Sequence, residues 1–157
     1  MTNISLTQAK ADELLKIEKH RQSDKKWHYP NAGGNVRIPL ISIDEKEEFI
    51  LDIWKGKISL KYKYQTRVRK VIILARLDIG GSPHRNPDNE EIPPNHIHIY
   101  KEGYNDKWAY PISIEKFHNT EDVLQTLHHF MVYCNITKPP LVEQNSVQIQ
   151  EDLFDDK

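Results

Sequence analysis

An α+β domain is the fold class that this sequence predicts: an antiparallel sheet of about four to six strands packed by an N-terminal and a C-terminal helix. Three observations carry the expectation. Apolar residues recur near a 3.6-residue period at both ends of the chain, over 5–22 and 120–135. Between them the period is two, most clearly over 57–64 and 95–101. The connections are mostly short and rich in Gly, Asn and Pro, which favours strands that neighbour one another in sequence order.

In order, residues 5–22 read as a helix that Ser5 or Thr7 caps, with Leu6, Ala9, Leu14, Leu15 and Ile17 inward. Asn31-Ala32-Gly33-Gly34 suggests a hairpin turn between strands at about 26–30 and 35–43. Asp44 and Glu47 have capping-box spacing, so a short helix with Phe49, Ile50, Ile53 and Trp54 inward is expected before Gly56. Ile58, Leu60, Tyr62 and Tyr64 then alternate with Lys57, Ser59, Lys61 and Lys63, a half-buried strand with a basic outer face. Gln65-Thr66 is the expected turn. The next strand, 67–79, is the most apolar and is expected at the sheet centre, with Ile73, Ala75, Leu77 and Ile79 on one face and Leu74, Arg76 and Asp78 on the other. A proline-rich loop of roughly fifteen residues leads to strands at 95–101 and 106–112. The domain is expected to span 1–138, with 139–157 a peripheral acidic tail carrying Glu151, Asp152, Asp155 and Asp156.

Composition narrows the function classes. A chain of 157 residues, 38% hydrophobic and 29% charged, suits one globular domain and contains no apolar run long enough to span a bilayer. The N-terminus lacks the basic-then-apolar layout of a signal peptide, and Cys134 is the single cysteine, so a reducing, cytoplasmic location is expected. Cys134 reads as a packing residue. The formal charge of −1 hides segregation: eight basic residues and no acidic ones lie between Lys55 and Arg76, directly after the acidic stretch 44–52.

The chemistry concentrates between Arg76 and Trp108. On the strand His96-Ile97-His98-Ile99-Tyr100, alternation puts both imidazoles on one face. Antiparallel pairing with 67–79 then has a register that sets Asp78 opposite His96 and Arg76 opposite His98, about 5 Å apart at Cβ. The intervening loop adds His84, Arg85 and Asp88. Three chemistries compete for this patch. His84, His96 and His98 suit zinc, with Asp78 or Asp88 as a fourth ligand or an outer partner. Two imidazoles and a guanidinium also suit metal-free RNA cleavage, in which His takes the proton of a ribose 2′-hydroxyl and Arg stabilises the phosphorane. Binding without chemistry is the third, with Lys57, Lys61, Lys63, Arg67, Arg69 and Arg85 on phosphates and Tyr62, Tyr64, Tyr100 and Trp108 as stacking surfaces. The same residues fit a plain polar sheet face, whose ion pairs are worth about 0–1 kcal/mol each, and an aromatic core. There is no phosphate loop, nucleophile elbow, Cys-rich knuckle or HExxH.

The run RLDIGGSPHRNPDNEEIPPNHIHIYKEGYNDKWAYP, with ADELLKIEKH and IPLIS upstream and FMVYCNI downstream, resembles an uncharacterised bacterial and phage family that carries a domain-of-unknown-function label. The label implies no activity. More distantly, the R-x-D strand, the proline-rich loop with His and the H-x-H strand resemble TumE-like toxins of toxin–antitoxin pairs, with Arg76, Asp78, His84, His96 and His98 at the matching places. That likeness implies nucleic-acid-directed toxicity and a cognate protein antitoxin as partner. The expected function is therefore a toxin-like, RNA-cleaving nuclease without a cofactor. His96 and His98 would be its acid and base, Arg76 the phosphate clamp, Asp78 the orienting carboxylate, and His84 and Arg85 loop contributors. The alternative is a non-enzymatic phage or host-defence factor that binds protein or nucleic acid, its His patch structural or zinc-holding.

Overall fold

The computed structural model describes residues 5–58 and 60–144. In chain order the elements are α1 (Gln8–Lys16), β1 (Lys19–Arg21), β2 (Lys26–His28), β3 (Asn35–Ser42), β4 (Glu48–Lys55), β5 (Tyr62–Val68), β6 (Ile72–Ile79), β7 (His84–Arg85), β8 (Glu91–Ile92), β9 (His96–Ile99), β10 (Ala109–Pro111), α2 (Val123–Tyr133), β11 (Ile136–Lys138) and β12 (Leu141–Glu143). The fold class is α+β as expected, but the main sheet has eight strands, in the order β10-β9-β6-β5-β4-β3-β1-β11. All its pairings are antiparallel except β1 with β11. No helix among the described residues is long and apolar enough to cross a membrane.

Inward residues of the central strands, among them Phe49, Leu51, Ile53, Tyr64 and Leu77, share one core with Leu14 of α1 and Leu127 and Phe130 of α2. Thr7 caps α1, its hydroxyl accepting from the Lys10 amide. The helix is shorter than the expected 5–22 because the chain leaves helical geometry at Ile17 and enters β1. Asp122 caps α2 in the same way through the Gln125 amide.

Several expected elements are corrected. The segment after Asp44 is a strand: seven register pairs join β3 to β4, and Phe49, Leu51 and Ile53 alternate inward. Asp44 stabilises a turn instead of a helix, accepting from the Ser42 hydroxyl and the Lys46 amide while Glu45 adopts φ 62°. Asn31–Gly34 does not close a hairpin, because β2 pairs with β12 in parallel. Ile58 and Leu60 are exposed at the β4–β5 connection, so the alternating strand starts at Tyr62. Gln65 and Thr66 lie within β5, and the turn falls at Arg69 and Lys70, both at positive φ. Leu141–Glu143 form β12, and residues 145–157, which carry the acidic end of the expected tail, lie outside the described residues.

A bulge sets the faces of β6. Thr66 pairs with Ala75 but Arg67 pairs with Ile73, so Leu74 is the extra residue. Leu74 and Ala75 are both buried, and Ile73 lies on the outer side with Arg76, which corrects the expected division. After β6 the chain turns at Gly80, at φ +76°, where a Cβ would meet the Leu60 carbonyl oxygen at 2.0 Å. Gly80→Ala is expected to cost at least about 2 kcal/mol, from left-handed strain plus a backbone clash. Chemical denaturation checks it, and a loss under about 0.5 kcal/mol would show that the turn adapts freely.

Candidate metal centre

β6 and β9 pair in the register set out from the sequence: Asp78 opposite His96, and Arg76 opposite His98. Period-two geometry then sends all four side chains to the outer side of the sheet, away from the helices. What covers them is the proline-rich segment, which has structure of its own. β7 and β8 pair as a small hairpin, and Asn86 clamps the strand beyond, giving its amide to the Ala109 carbonyl and accepting from the Ala109 N–H. His96 and His98 are 3% and 2% exposed, and Asp78 is buried too.

Hydrogen bonding fixes both imidazoles. The Nδ1 of His96 donates to the Pro93 carbonyl at 2.9 Å, and the Nδ1 of His98 to the Asp106 carbonyl at 2.8 Å. The two Nε2 atoms are therefore turned to the same carboxylate oxygen, Asp78 Oδ2, at 3.4 and 3.3 Å. Arg76 holds the other oxygen, its Nε donating to Oδ1 at 2.9 Å, while Nη1 reaches Asp106 at 2.9 Å and Nη2 lies 3.1 Å from His98 Nε2. Ligand atoms of Asp78, His96 and His98 all lie within 4.8 Å of one another, so this buried cluster can coordinate a metal. His84, expected as a ligand, stands beside the cluster. Its ring is centred 4.6 Å from that of His98 and 5.8 Å from that of His96, and its Nε2 donates to the Lys107 carbonyl.

The electrostatics are those of one anion shared by several donors. Burial by itself would raise the Asp78 pKa, but the hydrogen bonds of His96 and His98 and the Arg76 charge outweigh it and hold the carboxyl well below its usual range. His96 is raised, chiefly by its hydrogen bond to Asp78, against the opposing effect of burial.

Of the residues expected to bind nucleic acid, Lys63 and Arg67 line one groove on the outer face. Arg67 is bound through two nitrogens to Asp52, Arg69 pairs with Glu47, and Arg85 pairs with Glu91 on the β7–β8 hairpin. Lys57 and Lys61 sit at the β4–β5 connection, and Lys63 lies over the Trp54 ring on the outer face. Tyr62, Tyr64 and Tyr100 are core residues, not stacking surfaces. Cys134 is fully buried, which pushes its thiol up to about 12, as a packing residue requires.

Sequence reasoning missed Asp106, Asn86 and the carbonyls of Pro93 and Lys107. Asp106 and Lys107 belong to a turn whose residue types announce nothing, and only the fold brings them against β9.

No curated protein and no solved structure matches the chain. Residues 6–136, which include every member of the cluster, match the model of a family described as a family of unknown function (DUF6978), and the chain belongs to that family.

Proposed function

We propose that Asp78, His96 and His98 hold a zinc ion and that the chain is a metal-organised binding factor of phage or host-defence type, acting without catalysis on a protein or nucleic-acid partner. One observation carries this reading. A tetrahedral zinc with bonds of about 2.0–2.1 Å separates its ligand atoms by about 3.3–3.4 Å. The two Nε2–Oδ2 distances are 3.3 and 3.4 Å, and both imidazoles already give their other N–H to a backbone carbonyl, as zinc-bound histidines do. In this reading His84, whose ring is centred 4.6 Å from that of His98, turns from the Lys107 carbonyl to close the fourth position, which would tie the 80–95 segment to the sheet. Arg76 Nε holds Oδ1, and its Nη2, which lies 3.5 Å from Oδ2 and 3.1 Å from His98 Nε2, swings away toward Asp106 when the metal takes those two atoms. Burial supports this reading over acid–base cleavage of RNA, because a ribose hydroxyl does not reach side chains that are 2–3% exposed.

The test is metal analysis of the purified chain. Stoichiometric zinc is expected, lost in His96→Ala and His98→Ala and weakened about 10- to 100-fold in affinity in His84→Ala. Protein that holds no zinc and takes up neither Zn²⁺ nor Co²⁺ on titration would sink the proposal. RNA cleavage that survives chelation and disappears in both His variants would restore the nuclease reading.

A further inference from the structure

A second feature lies on the outer face of the sheet beside the cluster. An open groove of about 560 Å³ crosses β3 to β6. Its walls carry five cations, Arg37, Lys63, Arg67, Lys70 and Arg76, against one carboxylate, Asp52. That carboxylate is already satisfied by two Arg67 nitrogens and the Gln65 amide. Arg37, Lys63 and Lys70 have no carboxylate within ion-pair distance among the described residues, and Arg37 and Lys70 are exposed. Trp54 forms part of the floor, with the Lys63 ammonium 5.4 Å from its ring centre.

We infer that this groove binds single-stranded nucleic acid, the exposed cations taking backbone phosphates and Trp54 offering a ring for a base to stack on. Several unpaired cations beside a half-exposed indole, on an open sheet face, are the combination that single strands use, because every base has a stacking face and every nucleotide a charge. An acidic peptide would satisfy the cations but would leave the indole without a stacking partner. Of the residues expected to bind nucleic acid only Lys63 and Arg67 line the groove; Arg37, Lys70 and Arg76 join them, and Lys57, Lys61, Arg69 and Arg85 are absent. The inference does not depend on the metal.

The experiment is a fluorescence-anisotropy titration of the full chain with labelled U-rich RNA and T-rich DNA of about twelve nucleotides, across salt concentrations. Affinity is expected to fall with salt. The double variant Arg37→Gln/Lys70→Gln should lower the salt slope by about 1.4, since each phosphate contact to a single strand contributes about 0.7. Trp54→Leu should weaken binding about tenfold with the slope unchanged. Binding of either strand type supports the inference, and preference for RNA would add contacts to its 2′-hydroxyls. No binding of either at low salt, unchanged binding in the double variant, or equal affinity for a polyglutamate of matched charge would overturn it. Zinc content and melting temperature are measured on the same samples. Lost oligonucleotide binding with zinc retained is a failure of the groove, and absent zinc with binding retained is a failure of the metal site.

Discussion

Asp78→Ala will lose about 3–5 kcal/mol of stability in the metal-stripped protein, because it leaves buried donors without their anion. Two imidazoles and a guanidinium share this one carboxylate, at 3.4, 3.3 and 2.9 Å, on β6 and β9, the third and second strands from one edge of the sheet. Asp106 still pairs with Arg76, and Arg76 Nη2 still lies against His98 Nε2, but the His96 Nε2 and the Arg76 Nε would face a cavity. Asp78→Asn should cost less, since the amide keeps a polar partner for one imidazole, yet it should lose zinc as completely. The stripped wild type should show two pH limbs. The Asp78 carboxyl is held below its ordinary value, so its contribution is present above the unfolded value of about 3.9 and lost as acid carries the pH down through the folded value. His96 is raised, so its contribution is complete below about 6.5 and lost as pH rises through the folded value. Asp78→Ala should flatten both limbs. Zinc reverses the second, because it needs neutral imidazoles and binds more tightly as pH rises. Urea unfolding across pH, with and without chelator, checks all of this. A variant within about 1 kcal/mol of wild type would show a cluster no stronger than a surface ion pair.

The register of this site was legible because two constraints coincide. Alternation puts His96 and His98 on one face, and an antiparallel return around the 80–95 segment sets Asp78 and Arg76 against them. Its burial was not legible. The cover comes from the β7–β8 hairpin and the turn holding Asp106 and Lys107, joined to β9 by carbonyl and amide bonds that follow no residue-type rule. The sequence offers His84, His96 and His98 as ligands with Asp78 or Asp88 as a fourth ligand or outer partner, and the ligand atoms that converge are those of Asp78, His96 and His98. The β4 error has a different cause. Phe49, Ile50, Ile53 and Trp54 satisfy helical spacing, but Phe49, Leu51 and Ile53 also satisfy a period of two, and pairing with β3 and β5 on both sides decides between them. The sheet came out too narrow because β1 and β11 are three-residue strands, too short to show alternation, and each is recruited by its neighbour.

Lys19 is the other place where one side chain holds distant parts together, and Lys19→Met is expected to cost about 3–5 kcal/mol. Its residue exposure is 0%. Nζ donates to the Leu15, Ile17 and Cys134 carbonyls at 2.8, 3.0 and 2.8 Å. The first two close α1 and the third follows α2, so a single ammonium satisfies carbonyls that both helix ends leave open, where the helix dipoles favour a cation. An ammonium has three N–H groups for these three acceptors, and methionine has none. Burial pushes the Lys19 pKa down to about 8. Between that value and the unfolded value of about 10.4 the unfolded chain binds more protons, so stability contributed at this position rises with pH across the window. The wild type should therefore gain on Lys19→Met between pH 8 and 10, a comparison in which the buried tyrosines common to both proteins cancel. Denaturant unfolding of the pair at several pH values measures the gap. A gap that stays constant or narrows would mean that the three carbonyls offset the cost of burial and leave the lysine titrating near its ordinary value.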